Sequence, residues 1–174
     1  MKIETERLIT RSIQHGDEKV LADMASDGSF SELGFDTDCK QWIDEWIGEA
    51  VSLAEKDNPR IDYICSIVCL KDNGTVIGTV GNTYYEDTQK IGICYGIRSE
   101  YRQLGYASEA VKAYLDFFFK HYGEEEIIAT ISADNISSCK TAENAGFKLL
   151  EKRMYKDIYD TEERLYCFYS ARAI

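Results

Sequence analysis

A chain of 174 residues with a single proline and no low-complexity stretch has room for one domain, residues 1–174, with a sizeable core. Its formal charge of −11 argues against nucleic acid as the main partner, because phosphate backbones need Lys and Arg to displace counterions. Lys2 to Arg7 carry no apolar leader, and no stretch approaches the roughly eighteen apolar residues of a membrane span, so the expectation is a cytoplasmic protein without a membrane partner.

Leu8 to Ser12 reads as a first strand. After Gly16 and Asp17 a short helical stripe of Val20, Leu21 and Met24 stops near Gly28. From Asp38 to Ala54, Cys39, Trp42, Ile43, Trp46, Ile47, Ala50 and Leu53 keep helical spacing, and Asp57, Asn58 and Pro59 close the segment. Between Asp17 and Asp57 twelve acids face three lysines, which describes either a solvated helix face or an acidic lip that attracts an amine-bearing substrate. Ile61 to Leu70 and Thr75 to Tyr85 are rich in Ile, Val, Tyr and Thr, and Lys71-Asp72-Asn73-Gly74 between them is a hairpin turn. A second turn, around Asp87 to Gln89, leads into a strand from Lys90 in which Ile91, Ile93, Tyr95 and Ile97 alternate with Gly92, Cys94, Gly96 and Arg98.

The segment Arg102-Gln103-Leu104-Gly105-Tyr106-Ala107 then precedes a helix in which Ala110, Val111, Tyr114, Leu115 and Phe118 recur at steps of three and four. A helix start leaves unpaired N–H groups and about half a positive charge, and small residues let a phosphate approach them. The segment is therefore a candidate cradle for a pyrophosphate, or simply a turn shaped by Gly105. No Gly-x-x-x-x-Gly-Lys-Ser/Thr and no Gly-x-Gly-x-x-Gly competes for that role. Gly123 ends this helix, Ile127 to Ala133 is a short strand, and Asn135-Ile136-Ser137-Ser138 looks like a cap into a helix that ends at Gly146. Lys148 to Tyr159 and Glu163 to Ala171 read as a closing pair of strands turned at Asp160 and Thr161.

Cys39, Cys65, Cys69, Cys94, Cys139 and Cys167 form no Cys-x-x-Cys pair and have no neighbouring His, so free thiols acting as small apolar residues are expected. His15 and His121 are isolated, which leaves zinc sites and a His-based nucleophile triad without their parts; no metal is expected.

Taken in order and spacing, Glu4-Thr5-Glu6-Arg7-Leu8-Ile9, Glu100-Tyr101-Arg102 with Gly105-Tyr106-Ala107 and Glu109-Ala110, then Asn135, Ser138, Glu143, Asn144 and Gly146-Phe147 resemble the GNAT superfamily of acyl-CoA-dependent N-acetyltransferases, in particular the Rim-type branch that acetylates ribosomal-protein N-termini. The resemblance implies an α/β (α+β) fold: a mixed, largely antiparallel sheet of about seven strands flanked by helices, with a splay between two central parallel strands. It also implies acetyl-CoA as acyl donor. Arg102, Gln103, Leu104, Gly105, Tyr106 and Ala107 are the expected pyrophosphate turn, and Tyr95, Gly96 and Ile97 the strand end that pairs with the pantetheine arm. Asn135 resembles the residue that bonds the arm from the opposite side and Asn144 one near the adenine end; a capping Asn and an exposed helical Asn are the alternatives. A backbone N–H near Gly96 or Ile97 is the expected oxyanion donor. Ser138 is carried over as candidate proton donor to the departing thiolate, with a helix-capping hydroxyl as the alternative.

Four departures stand out. Ser99 replaces a common Pro, Gln103 a common Gly, and Gly92 the Glu that related enzymes use as base; Glu86, Asp87 or a water chain are the remaining candidates for that role. The Tyr that many other family members use as acid is Ala142 here. Keeping a lysine-like amine of pKa about 10.4 neutral at pH 7 costs about 4.6 kcal/mol, against about 1 to 1.4 for an α-amine near 7.7 to 8.0. The expected acceptor is a protein N-terminus or a small amine, and a basic peptide with a free α-amine also suits the acidic N-terminal third. A catalytically weak acyl-CoA-binding module is the alternative, and the protein is expected to be a monomer or homodimer.

Overall fold

The computed structural model describes residues 1–86, 88–157 and 160–173, the side chain of Glu32 excepted. Eight strands form one sheet: β1 (Lys2–Glu4), β2 (Leu8–Ser12), β3 (Tyr63–Leu70), β4 (Val76–Tyr85), β5 (Lys90–Ile97), β6 (Glu126–Ser132), β7 (Lys148–Tyr155) and β8 (Arg164–Arg172). Their spatial order is β1-β2-β3-β4-β5-β6-β8-β7. Four helices flank them: α1 (Glu18–Ala25), α2 (Ile43–Lys56), α3 (Tyr106–Tyr122) and α4 (Ile136–Ala145).

The expected sheet of about seven strands gains one member, because Lys2–Glu4 pairs antiparallel with β2. Three residues are too few to display a period of two. The helix expected from Asp38 is broken: a 3-10 turn covers Cys39–Gln41, Trp42 leaves helical geometry at φ −129°, and α2 begins at Ile43. The closing pair stops earlier than expected, β7 at Tyr155, and Tyr159 and Asp87 of the expected elements lie outside the described residues.

Alternation within the strands divides the core into two layers. Val68, Val80, Ile91, Ile93 and Ile97 pack beneath Val111, Tyr114, Leu115 and Phe118 of α3. Ile67 and Cys69, one step away along β3, join Leu21, Met24, Ile43 and Ile47 of α1 and α2 on the opposite face. Within the α3 layer the Tyr114 hydroxyl donates to Asn82 Oδ1 at 2.7 Å, and both residues are buried.

Every strand pair is antiparallel except β5 with β6, which share one bridged pair, Gly92 opposite Ile128. β5 stays paired to β4 as far as Ile97, and β6 to β8 as far as Ser132. The two strands therefore part beyond Gly92 and open a gap in the middle of the sheet, the splay expected from the resemblance.

Candidate active site

The wide end of this gap meets the start of α3. After Ile97 the chain makes a 3-10 turn at Ser99–Tyr101, extends through Arg102, and takes left-handed geometry at Gln103 (φ 63°) and Gly105 (φ 81°). The first helical bond runs from the Glu109 N–H to the Gly105 carbonyl at 3.1 Å, so the N–H groups of Tyr106, Ala107 and Ser108 have no intrahelical acceptor. Among the described residues no side chain caps this terminus. Residues 102 to 105 are exposed and Tyr106 and Ala107 half-buried, so the turn is open to a ligand.

The Arg102 side chain points back into the protein, its Nε donating to the Ile97 carbonyl (2.9 Å) and its Nη2 to the Ser29 carbonyl (3.0 Å). Arg7 supports the turn from behind: Nη1 donates to the Leu104 carbonyl at 3.0 Å and Nε to Glu109 at 2.7 Å. Burial pushes the Glu109 pKa up, but hydrogen bonds from Thr5 and Arg7 outweigh it and hold the carboxyl below its usual range.

Peptide groups along a strand face alternate sides. The Arg98 N–H donates to the Ile77 carbonyl, and the Gly96 carbonyl lies so close to Gly78 that a Cβ there would sit 2.2 Å from it. Gly96 therefore spends its peptide group on β4, and the peptide group of Tyr95 and the N–H of Ile97 face the gap, the Ile97 carbonyl being taken by Arg102. Of the two positions expected to offer an oxyanion donor, Ile97 is the one whose N–H is so directed.

Side chains of β5 split across the two faces. On the α3 and α4 side the Tyr95 hydroxyl donates to the Ser138 carbonyl at 2.9 Å, and burial pushes the phenol pKa up to about 12. Ser138 lies in the first turn of α4, half-buried, its hydroxyl without a hydrogen bond among the described residues. Asn135 caps that helix instead: its Oδ1 accepts from the Ser138 N–H (3.1 Å) and the Ser137 hydroxyl (3.0 Å). The structure thus brings Tyr95, Asn135 and Ser138 together. Asn144 stands apart on the exposed side of α4, about 9 Å along the axis from Ser138.

On the α1 and α2 side, glycines admit what a sequence does not show. A Cβ on Gly92 would lie 2.5 Å from the ring of Tyr85, and one on Gly96 would lie 2.7 Å from Leu33 and 2.9 Å from Phe30. Between them Cys94 Sγ sits 3.3 Å from Thr83 Oγ1, and burial pushes its thiol pKa up, away from a thiolate nucleophile. Glu86 occupies the turn beyond Lys90, at the opposite end of the β4–β5 hairpin from Ile97, and Asp87 lies outside the described residues. Paired glycines on one strand face signal close approach; the identities of Tyr85, Phe30 and Leu33 had no local signal. Among the described residues no cluster of three His, Cys, Asp or Glu could hold a metal, and no helix is long and apolar enough to cross a membrane.

The family model described as an acetyltransferase (GNAT) domain matches residues 7–148. The chain is 28% identical over 155 residues to the uncharacterized N-acetyltransferase YnaD of Bacillus subtilis (strain 168), covering 85% of this chain and 83% of the relative. A GNAT-family acetyltransferase from Bacillus anthracis superposes with a TM-score of 0.81 at 19% identity, over 99% of this chain and 98% of that one. RimL, a ribosomal L7/L12 alpha-N-protein acetyltransferase in complex with coenzyme A, gives 0.81 at 10% identity, again over 99% and 98%. A family model that covers most of the chain, together with a fold shared from end to end, shows that the chain belongs to the GNAT acetyltransferases.

Proposed function

We propose that residues 1–174 form one catalytic unit that transfers the acetyl group of acetyl-CoA to a primary amine, either the α-amine of a protein N-terminus, as in the Rim-type branch, or a small amine of low pKa. The observation that carries this reading is the single Gly92–Ile128 bridge, beyond which the peptide group of Tyr95 and the N–H of Ile97 face a gap that ends at an uncapped helix start. The amides from Arg102 to Ala107 receive the diphosphate, with Gly105 allowing close approach. Tyr95 and Ile97 pair with the amide-bearing arm as a further strand would. Asn144 lies toward the adenine end, and Asn135 holds the first turn of α4 in place beside the arm.

The neutral amine attacks the thioester carbonyl. A C–N bond forms, the Ile97 N–H stabilises the oxyanion, and the C–S bond then breaks. Ser138 gives its proton to the departing thiolate and regains one from solvent, to which the ammonium formed in the attack has lost its own. Direct attack without an acyl-enzyme fits thiols that burial pushes up, away from a thiolate nucleophile, at Cys94 and at Cys139 beside Ser138. Six free thiols accord with a reducing, cytoplasmic setting.

With Tyr85 in the space over Gly92, the acceptor meets a ring edge rather than a carboxylate. This favours amines that are already substantially neutral near pH 7, and a basic peptide with a free α-amine answers the acidic N-terminal third as well. The same observation favours a second reading, a weak or inactive acyl-CoA binder. Steady-state release of coenzyme A thiol over a panel of α-amines, lysine amines and polyamines separates the two. Turnover on α-amines that drops at least tenfold in Ser138→Ala supports the enzyme, whereas tight acetyl-CoA binding with no turnover on any amine supports the binder.

A further inference from the structure

The geometry points to Arg7 as the positioning residue that sets the phosphate turn for its ligand, an inference that rests on the reading of residues 102 to 107 as the diphosphate cradle. Arg7 lies 95 positions upstream of Arg102, yet its side chain reaches the turn at Leu104 and Tyr106. Nη1 bonds the Leu104 carbonyl at 3.0 Å, and the guanidinium lies 4.5 Å from the ring centroid of Tyr106. A Cβ on Gly105 would stand 3.4 Å from Nη2, so Arg7 backs directly onto the left-handed residue. Glu109, in the first turn of α3, takes Nε and Nη2 at 2.7 and 2.6 Å, the Arg7 N–H at 3.1 Å and the Thr5 hydroxyl at 2.6 Å.

This arrangement is geometric rather than a second cation for the ligand. Glu109 neutralises the guanidinium at contact distance, so the pair adds little net field at the helix start. The fork instead has two tasks that only a planar, multiply donating group performs together. It draws the Leu104 carbonyl backward, away from the space where anionic oxygens approach. It also ties that carbonyl to the helix through Glu109, which fixes the left-handed step at Gly105 and the outward aim of the Gly105, Tyr106 and Ala107 amides. Without the fork the turn keeps its residues but loses its preset orientation, and ordering it falls to the ligand.

The test compares coenzyme A with pantetheine, which lacks the diphosphate, on the full chain. Calorimetry reads the first and chemical-shift titration the second, because its binding is weak. Arg7→Met is expected to weaken coenzyme A about tenfold and leave pantetheine unchanged. Arg7→Lys, which keeps the charge and stem but not the fork, is expected to lose most of the same factor, and it carries the test if Arg7→Met does not fold. Unchanged coenzyme A affinity in both variants overturns the inference, as does an equal loss for both ligands. Full retention by Arg7→Lys overturns it in favour of a simple charge. A native protein that binds coenzyme A no better than pantetheine instead removes the cradle reading itself.

Discussion

The Tyr95 hydroxyl donates to the Ser138 carbonyl at 2.9 Å, joining the strand on one side of the gap to the first turn of the helix on the other. The bond places α4 relative to β5 and so sets where the Ser138 hydroxyl stands. Tyr95→Phe removes the donor, while the ladder of α4 still pairs the Ser138 carbonyl, so the cost is that of one net hydrogen bond, about 0.5–1.5 kcal/mol in stability. We expect kcat to fall about tenfold with coenzyme A affinity changed less than threefold, read by steady-state kinetics beside calorimetry. An unchanged kcat would show that this bond does not position the proposed proton donor.

Gly92 and Tyr85 compete for one space. Gly92→Glu alone drives the new Cβ into the Tyr85 ring, 2.5 Å away, so it is expected to lower stability by about 1–3 kcal/mol and bring no gain in rate. The double variant Gly92→Glu with Tyr85→Ala vacates that space, and turnover on lysine-type amines should rise relative to α-amines. A panel of acceptors assayed on both variants checks the order.

Gln103 holds φ at 63°, a left-handed conformation in which a side chain costs about 1 kcal/mol or more. Gln103→Gly relieves that strain but adds freedom to the unfolded chain. The expected net gain is about 0.5 kcal/mol, a Tm rise of about 1–2 °C for a chain of this size. Differential scanning calorimetry reads it.

Tyr114→Phe deletes the donor to buried Asn82 Oδ1 without changing the shape of the core. The unsatisfied amide oxygen should destabilise the protein by about 1–3 kcal/mol. Urea unfolding with an unchanged m-value is the check, and native-like stability would mean that another donor replaces the phenol.

Several carboxylates titrate below their ordinary range. Hydrogen bonds from Ser29 and then Ser99 lower Asp27 to about 2, and His121 and Tyr122 outweigh burial to lower Asp57. Glu109 is lowered as well. A depressed folded pKa means stability that is full above the unfolded value, near pH 4, and is lost as pH falls through the folded one. Thermal melts should therefore show no loss from these groups between pH 5 and 8 and a decline from about pH 4 toward pH 2. If the acceptor is an α-amine, log kcat/KM should climb with pH and level near about 8, whereas a lysine-type acceptor keeps climbing toward about 10.

Much of this protein was written locally. Alternation placed β3, β4, β5 and β6 to within two residues at either end, helical stripes placed α1 and α3, and Gly105, Gly123 and Gly146 marked helix ends because only left-handed geometry fits there. The turn into α3 and the cap at Asn135 were legible for the same reason: a turn and a helix start depend on contiguous residues. The break at Trp42 and the strand at Lys2–Glu4 were not, since each is decided by what the segment packs or pairs against.

What only the tertiary structure decided is how distant parts share space. Strand sequence sets which side chains share a face, but the parting of β5 from β6 after one bridge depends on β4 and β8 holding each strand away from the other. The ring of Tyr85 over Gly92, the phenol of Tyr95 on Ser138 and the fork of Arg7 on Leu104 join residues 7 to 97 positions apart. Local propensity acts over a few residues of chain, whereas packing and hydrogen bonding act over a few ångströms of space. Only the folded sheet brings the second range to bear on side chains that the first leaves unrelated.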